Sequence, residues 1–132
     1  MNTQVLGFTF GLTFIIVGLF GFIPNPLVSA IGLFLVNAAH NVVHIVLGIA
    51  FVVGCYKLAE SEDWVLKFFG VGGLAVTTFG FVASREIMLA FIPVNEAGYW
   101  LHLGLGLIVL ASGFMFNDKK QRPSERSVYT NG

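Results

Sequence analysis

The amino-acid sequence predicts an all-α integral membrane protein, a four-helix bundle built from two related two-helix repeats. Two observations support this fold class: the composition is too apolar for a soluble domain, and one residue pattern occurs twice. Of the 132 residues, 56% are hydrophobic and only 11% are charged, against about a quarter charged in typical globular chains. Residues 1–56 contain no Lys, Arg, Asp or Glu. So few polar groups cannot cover the surface of a soluble fold of this size.

The repeated pattern consists of asparagine, histidine and glycine at spacings of seven and four residues. The two copies lie 58 positions apart: Asn37, His44 and Gly48, and Asn95, His102 and Gly106. In a helix these spacings place all three residues on one face. A polar side chain in an apolar stretch needs a partner that offsets its desolvation. The repeat therefore predicts two hairpins that present matched polar stripes.

Four apolar runs are each near the ~20 residues that a helical membrane crossing needs. They cover residues 5–23, 36–56, 64–83 and 98–116. The runs are continuous and rich in Gly and Leu, which favours helices over the alternating pattern of β-barrel strands. We expect one four-helix membrane domain over residues 1–116, with repeat halves at about 5–56 and 64–116.

Basic residues near the ends of these runs predict the orientation. The loop at 57–67 and the tail at 117–132 carry six of them: Lys57, Lys67, Lys119, Lys120, Arg122 and Arg126. The other two loops contain only Arg85, so the positive-inside rule places both termini and the central loop in the cytoplasm. The polar tail is expected to be a flexible cytoplasmic segment. Because each half crosses twice, the halves are parallel and related by an axis along the membrane normal.

Three histidines are the candidate binding residues, and the sequence leaves three interpretations open. His40 and His44 lie one turn apart on one helix face, and His102 is the repeat partner of His44. In the first interpretation, His44 and His102 bind one haem iron from opposite sides, or a chlorophyll. Gly48 and Gly106 would then leave room for the flat macrocycle.

The second interpretation is a metal site formed by all three histidines, with Glu96 as a further candidate near the outer surface. Imidazoles suit Zn or Cu, and a histidine pair at i and i+4 is a common ligand spacing on helices. In the third interpretation no ligand is present. Hydrogen bonds among Asn37, Asn41, Asn95 and the imidazoles then tie the two hairpins together.

The sequence shows no arrangement of residues that is typical of an enzyme. There is no HExxH run and no paired carboxylate, and neither Ser nor Cys lies near a His and an acid in a recognisable order. We therefore expect a non-enzymatic membrane protein, an accessory or scaffold subunit of a membrane complex. Haem, chlorophyll or metal binding is the alternative, and the cofactor stays open. The expected partners are the lipid bilayer and other membrane subunits or a second copy, not nucleic acid.

The segment 34–48 contains the run His-Asn-Val-Val-His at 40–44, followed by Leu-Gly. It resembles a family of small bacterial four-span membrane proteins, known only as a domain of unknown function, whose hallmark is similar to Asn-Pro-x-His-Asn-x-x-His. Ala38 stands where that run has proline. The resemblance covers roughly 5–116 and implies four helices in a bacterial plasma membrane or another energy-transducing membrane. It implies no activity, and its motif residues are His40, Asn41, His44 and His102.

Overall fold

Four helices dominate the computed structural model, which describes residues 3–57, 62–82 and 92–116. They are α1 (Thr3–Phe20), α2 (Ala38–Lys57), α3 (Glu62–Val82) and α4 (Glu96–Met115). The segments Ala38–Lys57, Asp63–Val82 and Glu96–Met115 are long and apolar enough to cross a membrane, whereas the apolar stretch of α1, Gln4–Phe20, is shorter. The predicted all-α class with four helices is confirmed. The tail at 117–132 and Arg85 lie outside the described residues, so the orientation stays a prediction.

The asparagines of the repeat begin the second and fourth helices. The Asn37 side-chain oxygen accepts a hydrogen bond from the His40 backbone N–H at 2.8 Å, and Asn95 accepts one from Gly98 at 3.1 Å. These are N-cap bonds, which satisfy backbone donors that have no partner inside the helix. The helices accordingly begin at 38 and 96, rather than at 36 and 98 as the apolar runs predicted.

The segment between α1 and α2 folds back on itself. It contains a parallel pairing of two-residue strands, β1 (Val28–Ser29) with β2 (Phe34–Leu35), which the sequence did not predict. The Asn25 side chain organises the turn: its oxygen accepts from the Val28 backbone N–H at 2.7 Å, and its amide donates to the Ile23 carbonyl at 2.7 Å. The segment thereby places β2 beside the start of α4.

The helices pack as two hairpins, α1 with α2 and α3 with α4, and contacts between the hairpins are far fewer. Equivalent residues face each other in both hairpins: Gly11 and Val52 correspond to Gly70 and Leu110, Ile15 and Gly48 to Leu74 and Gly106, and Gly21 and Asn41 to Gly80 and Tyr99. Small residues allow such close approach of membrane helices. The predicted pairing of helices as repeats is confirmed.

Two regions join the hairpins. The first, which we call the aromatic end, contains the buried side chains of Phe51, Cys55, Val65, Leu66 and Val109, with Phe10 and Phe69 packed against them. The rings of Phe51 and Phe69 stack at a centroid distance of 4.2 Å. The second region lies near the start of α2 and α4. It contains the three histidines, and we call it the histidine end.

Candidate metal centre

The three histidines converge at the histidine end, although they come from different hairpins. One ring nitrogen from each of His40, His44 and His102 lies within 4.8 Å of the others. The ring centroids of the two histidines on α2 are 4.6 Å apart, and each lies 5.7 Å from the ring of His102. His40 is buried, with 4% of its surface exposed, and the other two are partly buried. The residues predicted as a metal set are thus brought together.

Two backbone carbonyls orient the rings. The Nδ1 atom of His40 lies 3.3 Å from the Pro93 oxygen, and Nδ1 of His102 lies 2.6 Å from the Gly98 oxygen. A carbonyl oxygen only accepts hydrogen bonds, so both Nδ1 atoms carry the proton. In a neutral imidazole the Nε2 atom then has a free lone pair. The two rings therefore each keep one nitrogen available for a metal ion.

The two histidines of α2 also contact each other directly. Their Nε2 atoms are 3.1 Å apart. Because Nε2 of His40 carries a lone pair, a hydrogen bond between these atoms needs a proton on Nε2 of His44. The same two atoms would both face an ion bound between them. The arrangement therefore has a hydrogen-bonded form without an ion and a coordinated form with one.

A small cavity lies beside the rings. Its volume is about 30 Å³, and apart from the three histidines its lining is made of Val, Leu, Phe and Gly. A cavity of this size has space for at least one water molecule or for a metal ion, and a tetrapyrrole is far larger. Val36 and Val94, the residues before the two N-caps, both line it. The repeat thus builds both sides of the cavity.

The glycines of the repeat do not leave room for a macrocycle. A Cβ atom on Gly48 would lie 2.7 Å from the Gly11 carbonyl oxygen, and one on Gly106 would lie 3.1 Å from Leu74 Cδ2. Each glycine is therefore covered by the neighbouring helix of its own hairpin. The space that the haem and chlorophyll interpretation required at these positions is filled by α1 and α3.

The asparagines have three different roles. Asn95 links the hairpins, because its amide donates to the Leu33 carbonyl at 2.7 Å and its oxygen accepts from the Leu35 backbone N–H at 3.4 Å. Asn37 caps α2. Asn41 is 3% exposed and lies against Gly21 of its own hairpin. The predicted hydrogen bonding between hairpins thus occurs at Asn95 and through the His40 ring to Pro93.

A model of the family described as a domain of unknown function, DUF4383, matches residues 4–115. The chain belongs to the DUF4383 family. By its own description, DUF4383 brings no assigned function to the site. No curated protein and no solved structure matches the chain.

The sequence of this DUF4383 chain did not predict the carbonyl groups that hydrogen-bond to the histidine rings. Main-chain oxygens carry no residue signature, so nothing in the sequence points to the Pro93 carbonyl. Gly98 offers one indirect signal, because it stands where the repeat would place a second copy of His40. Glu96, predicted as a possible further ligand, is exposed in the first turn of α4 and does not belong to the three-histidine group.

Proposed function

We propose that this chain is a multi-pass membrane protein that binds one transition-metal ion between its hairpins, on His40, His44 and His102. The observation that carries the proposal is the convergence of three ring nitrogens within 4.8 Å. Zn–N bonds of about 2.0–2.1 Å place the nitrogens of a bound ion roughly 3.4 Å apart. The pair on α2 is already at 3.1 Å, whereas the three nitrogens together lie within 4.8 Å, so coordination requires the rings to move closer together.

The carbonyl partners support coordination further. Histidines that bind metal ions usually donate their second ring N–H to a carboxylate, a carbonyl or a water, which holds the ring in position. The rings of His40 and His102 both have such a carbonyl partner at Nδ1. The Gly98 carbonyl lies on the same helix as its histidine, whereas Pro93 precedes the opposite helix. One ring is thus oriented by its own hairpin and the other by the neighbouring hairpin.

A bound ion would add to the few contacts that join the two hairpins. Ligands from both α2 and α4 make the ion a crosslink between the two halves of the bundle. An ion that binds only the folded state stabilises it by about 2.7 kcal/mol when its free concentration is 100 times the Kd. The expected role of the ion therefore includes holding the bundle in one arrangement.

The competing interpretation has no ligand. The Nε2–H of His44 donates to His40, and the ring of His40 donates to Pro93, which gives a chain of hydrogen bonds across the hairpins. Such bonds between membrane helices contribute about 0.6–2 kcal/mol each. The two interpretations differ in one observable, which is whether metal accompanies the protein.

The test is elemental analysis and an absorption spectrum of the protein purified in mild detergent from its native host. We expect near-stoichiometric metal that is lost in both His44→Ala and His102→Ala. Asn41→Ala is the matched control, because Asn41 is as buried as its neighbour His40 but lies against Gly21. Metal-free protein that takes up neither zinc nor copper would overturn the proposal. A Soret or chlorophyll band lost in the same variants would instead support a tetrapyrrole.

A second proposed role is that of a non-enzymatic accessory or scaffold subunit, in a bacterial plasma membrane or another energy-transducing membrane. It is favoured by Gly72 and Gly104, where an added Cβ would meet no atom within 4 Å. Helices of another membrane subunit approach most closely at such residues. We expect Gly104→Leu to remove a co-purifying subunit while the metal content is unchanged. Purification without any membrane partner would count against this role.

A further inference from the structure

Resting on the proposed metal site, we infer that the ion is monovalent copper, Cu(I), held by three neutral imidazoles. The observation behind this inference is that no described residue lining the cavity has a negatively charged side chain. Of the described residues that line the cavity, only the three histidines have polar side chains. The atoms that orient the rings of His40 and His102 are neutral carbonyl oxygens. The described residues around the site therefore supply no negative charge to an ion bound there.

The free-energy cost of burying an ion at this site depends strongly on the magnitude of its charge. The cost of transferring an ion from water to an apolar medium rises with the square of the charge, so a divalent ion costs about four times as much as a monovalent ion of equal radius. Zn²⁺ or Cu²⁺ would need an anion such as hydroxide or chloride as a companion. The valine, leucine and phenylalanine side chains around the rings offer such an anion no hydrogen-bond donor. Charge therefore favours the monovalent ion.

The number of ligands leads to the same choice. Zinc takes four ligands, and where the protein supplies only three, as one three-histidine group among the described residues does, a water fills the fourth position. Imidazole suits copper, and Cu(I) is satisfied by three donors in a plane. The cavity of about 30 Å³ beside the rings has space for the ion. Three neutral donors around a monovalent ion therefore fit the geometry without a further ligand.

The experiment titrates metal-free, full-length protein in detergent under anaerobic conditions. Cu(I) is supplied in competition with a chromophoric Cu(I) chelator, and Zn²⁺ in competition with a chromophoric zinc chelator. We expect one Cu(I) per chain, with an X-ray absorption spectrum of three nitrogen donors and no anion. His44→Ala and His102→Ala should weaken Cu(I) binding at least about 100-fold, the upper end of the effect of losing an outer-shell partner. His102→Gln repeats the test with a bulkier side chain, and Asn41→Ala is the control.

The charge argument has its own variant. Leu101 lines the cavity and is 39% exposed, so Leu101→Glu adds a carboxylate at its edge. We expect this change to raise Zn²⁺ affinity at least about tenfold, because the carboxylate supplies the missing negative charge, and to leave Cu(I) affinity within a few-fold.

The outcomes separate this inference from the proposed function. Zn²⁺ bound by the three histidines as tightly as Cu(I), or unchanged Zn²⁺ affinity in Leu101→Glu, would overturn the assignment to Cu(I) and leave a metal site. Binding of neither ion by well-folded protein would overturn both. Loss of Cu(I) in the two histidine variants and not in Asn41→Ala would support both.

Discussion

The aromatic end and the histidine end join the same two hairpins by different means. At the aromatic end the side chains of Cys55 and Leu66 are 0% exposed, and Phe51 stacks on Phe69 at 4.2 Å. At the histidine end the rings of His44 and His102 are 5.7 Å apart beside a cavity of about 30 Å³. At the aromatic end the side chains pack directly against one another. At the histidine end the side chains surround a cavity, which a ligand can occupy.

The two copies of the repeat differ at the histidine end and are alike in their helix packing. Helix packing within the hairpins is alike in both copies, because glycines occupy equivalent places. Among the histidine positions the copies differ once, where His40 in the first corresponds to Gly98 in the second. The second copy contributes a carbonyl oxygen there instead of a ring. The residues shared by both copies form the helix packing and two of the ligands. His40, which the second copy lacks, supplies the third ligand.

The largest expected effect comes from breaking the aromatic end. Phe51→Ala removes a side chain that is 1% exposed and should lower the free energy of unfolding by about 3 kcal/mol, because the cavity is refilled only in part. Unfolding by dodecyl sulfate in mixed micelles, followed by helical circular dichroism, measures it. Phe79→Ala is the control, since Phe79 is 58% exposed on α3. An equal loss in both variants would contradict a distinct aromatic contact.

The next effect concerns the ion at the histidine end. Adding the bound metal at 100 times its Kd should raise the free energy of unfolding by about 2.7 kcal/mol. In His44→Ala the same addition should change nothing, while Phe51→Ala should keep the full increment. The measurement is the same titration with and without metal. An increment that survives in His44→Ala would place the ion elsewhere.

Asn95 permits a smaller and sharper test. Asn95→Ala removes both the N-cap bond and the bonds to the first hairpin. We therefore expect the free energy of unfolding to fall by about 2 kcal/mol. Asn95→Asp keeps the oxygen acceptor of the cap and loses only the amide that donates to Leu33. It should cost about 1 kcal/mol or less. Equal losses in the two variants would mean that the two bonds accepted by the Asn95 oxygen, from Gly98 and from Leu35, contribute little.

The smallest effect lies away from both ends. Gly104 faces open space, so Gly104→Ala should raise the free energy of unfolding by about 0.5–1 kcal/mol through helix propensity alone. Gly106→Ala is the matched variant, because its Cβ would lie 3.1 Å from Leu74. That contact should cancel the gain. Two equal gains would show that the hairpin tolerates more space between α3 and α4 than the structure shows.

Much of this arrangement was predictable because side-chain periodicity records it. Apolar runs predicted the helices, and the repeat predicted that His44 and His102 lie on matched polar stripes of the two hairpins. His40 followed from its spacing of four residues. The parallel pairing of Val28–Ser29 with Phe34–Leu35 and the carbonyl partners of the rings were not predictable, because backbone groups make those bonds. The asparagines were assigned to contacts between hairpins, whereas the N-cap role depends on where the helix begins.

The close packing within each hairpin also affects how the chain assembles. Contacts between helices that are neighbours in sequence form quickly, because little loop entropy is lost before they are made. Each hairpin can therefore fold as a unit as it emerges from synthesis, and the docking of the two units comes last. The two hairpins of a chain are packed alike, and a hairpin of another chain can dock in place of the chain's own hairpin. We therefore expect exchange of hairpins between chains to be the main assembly error of this architecture.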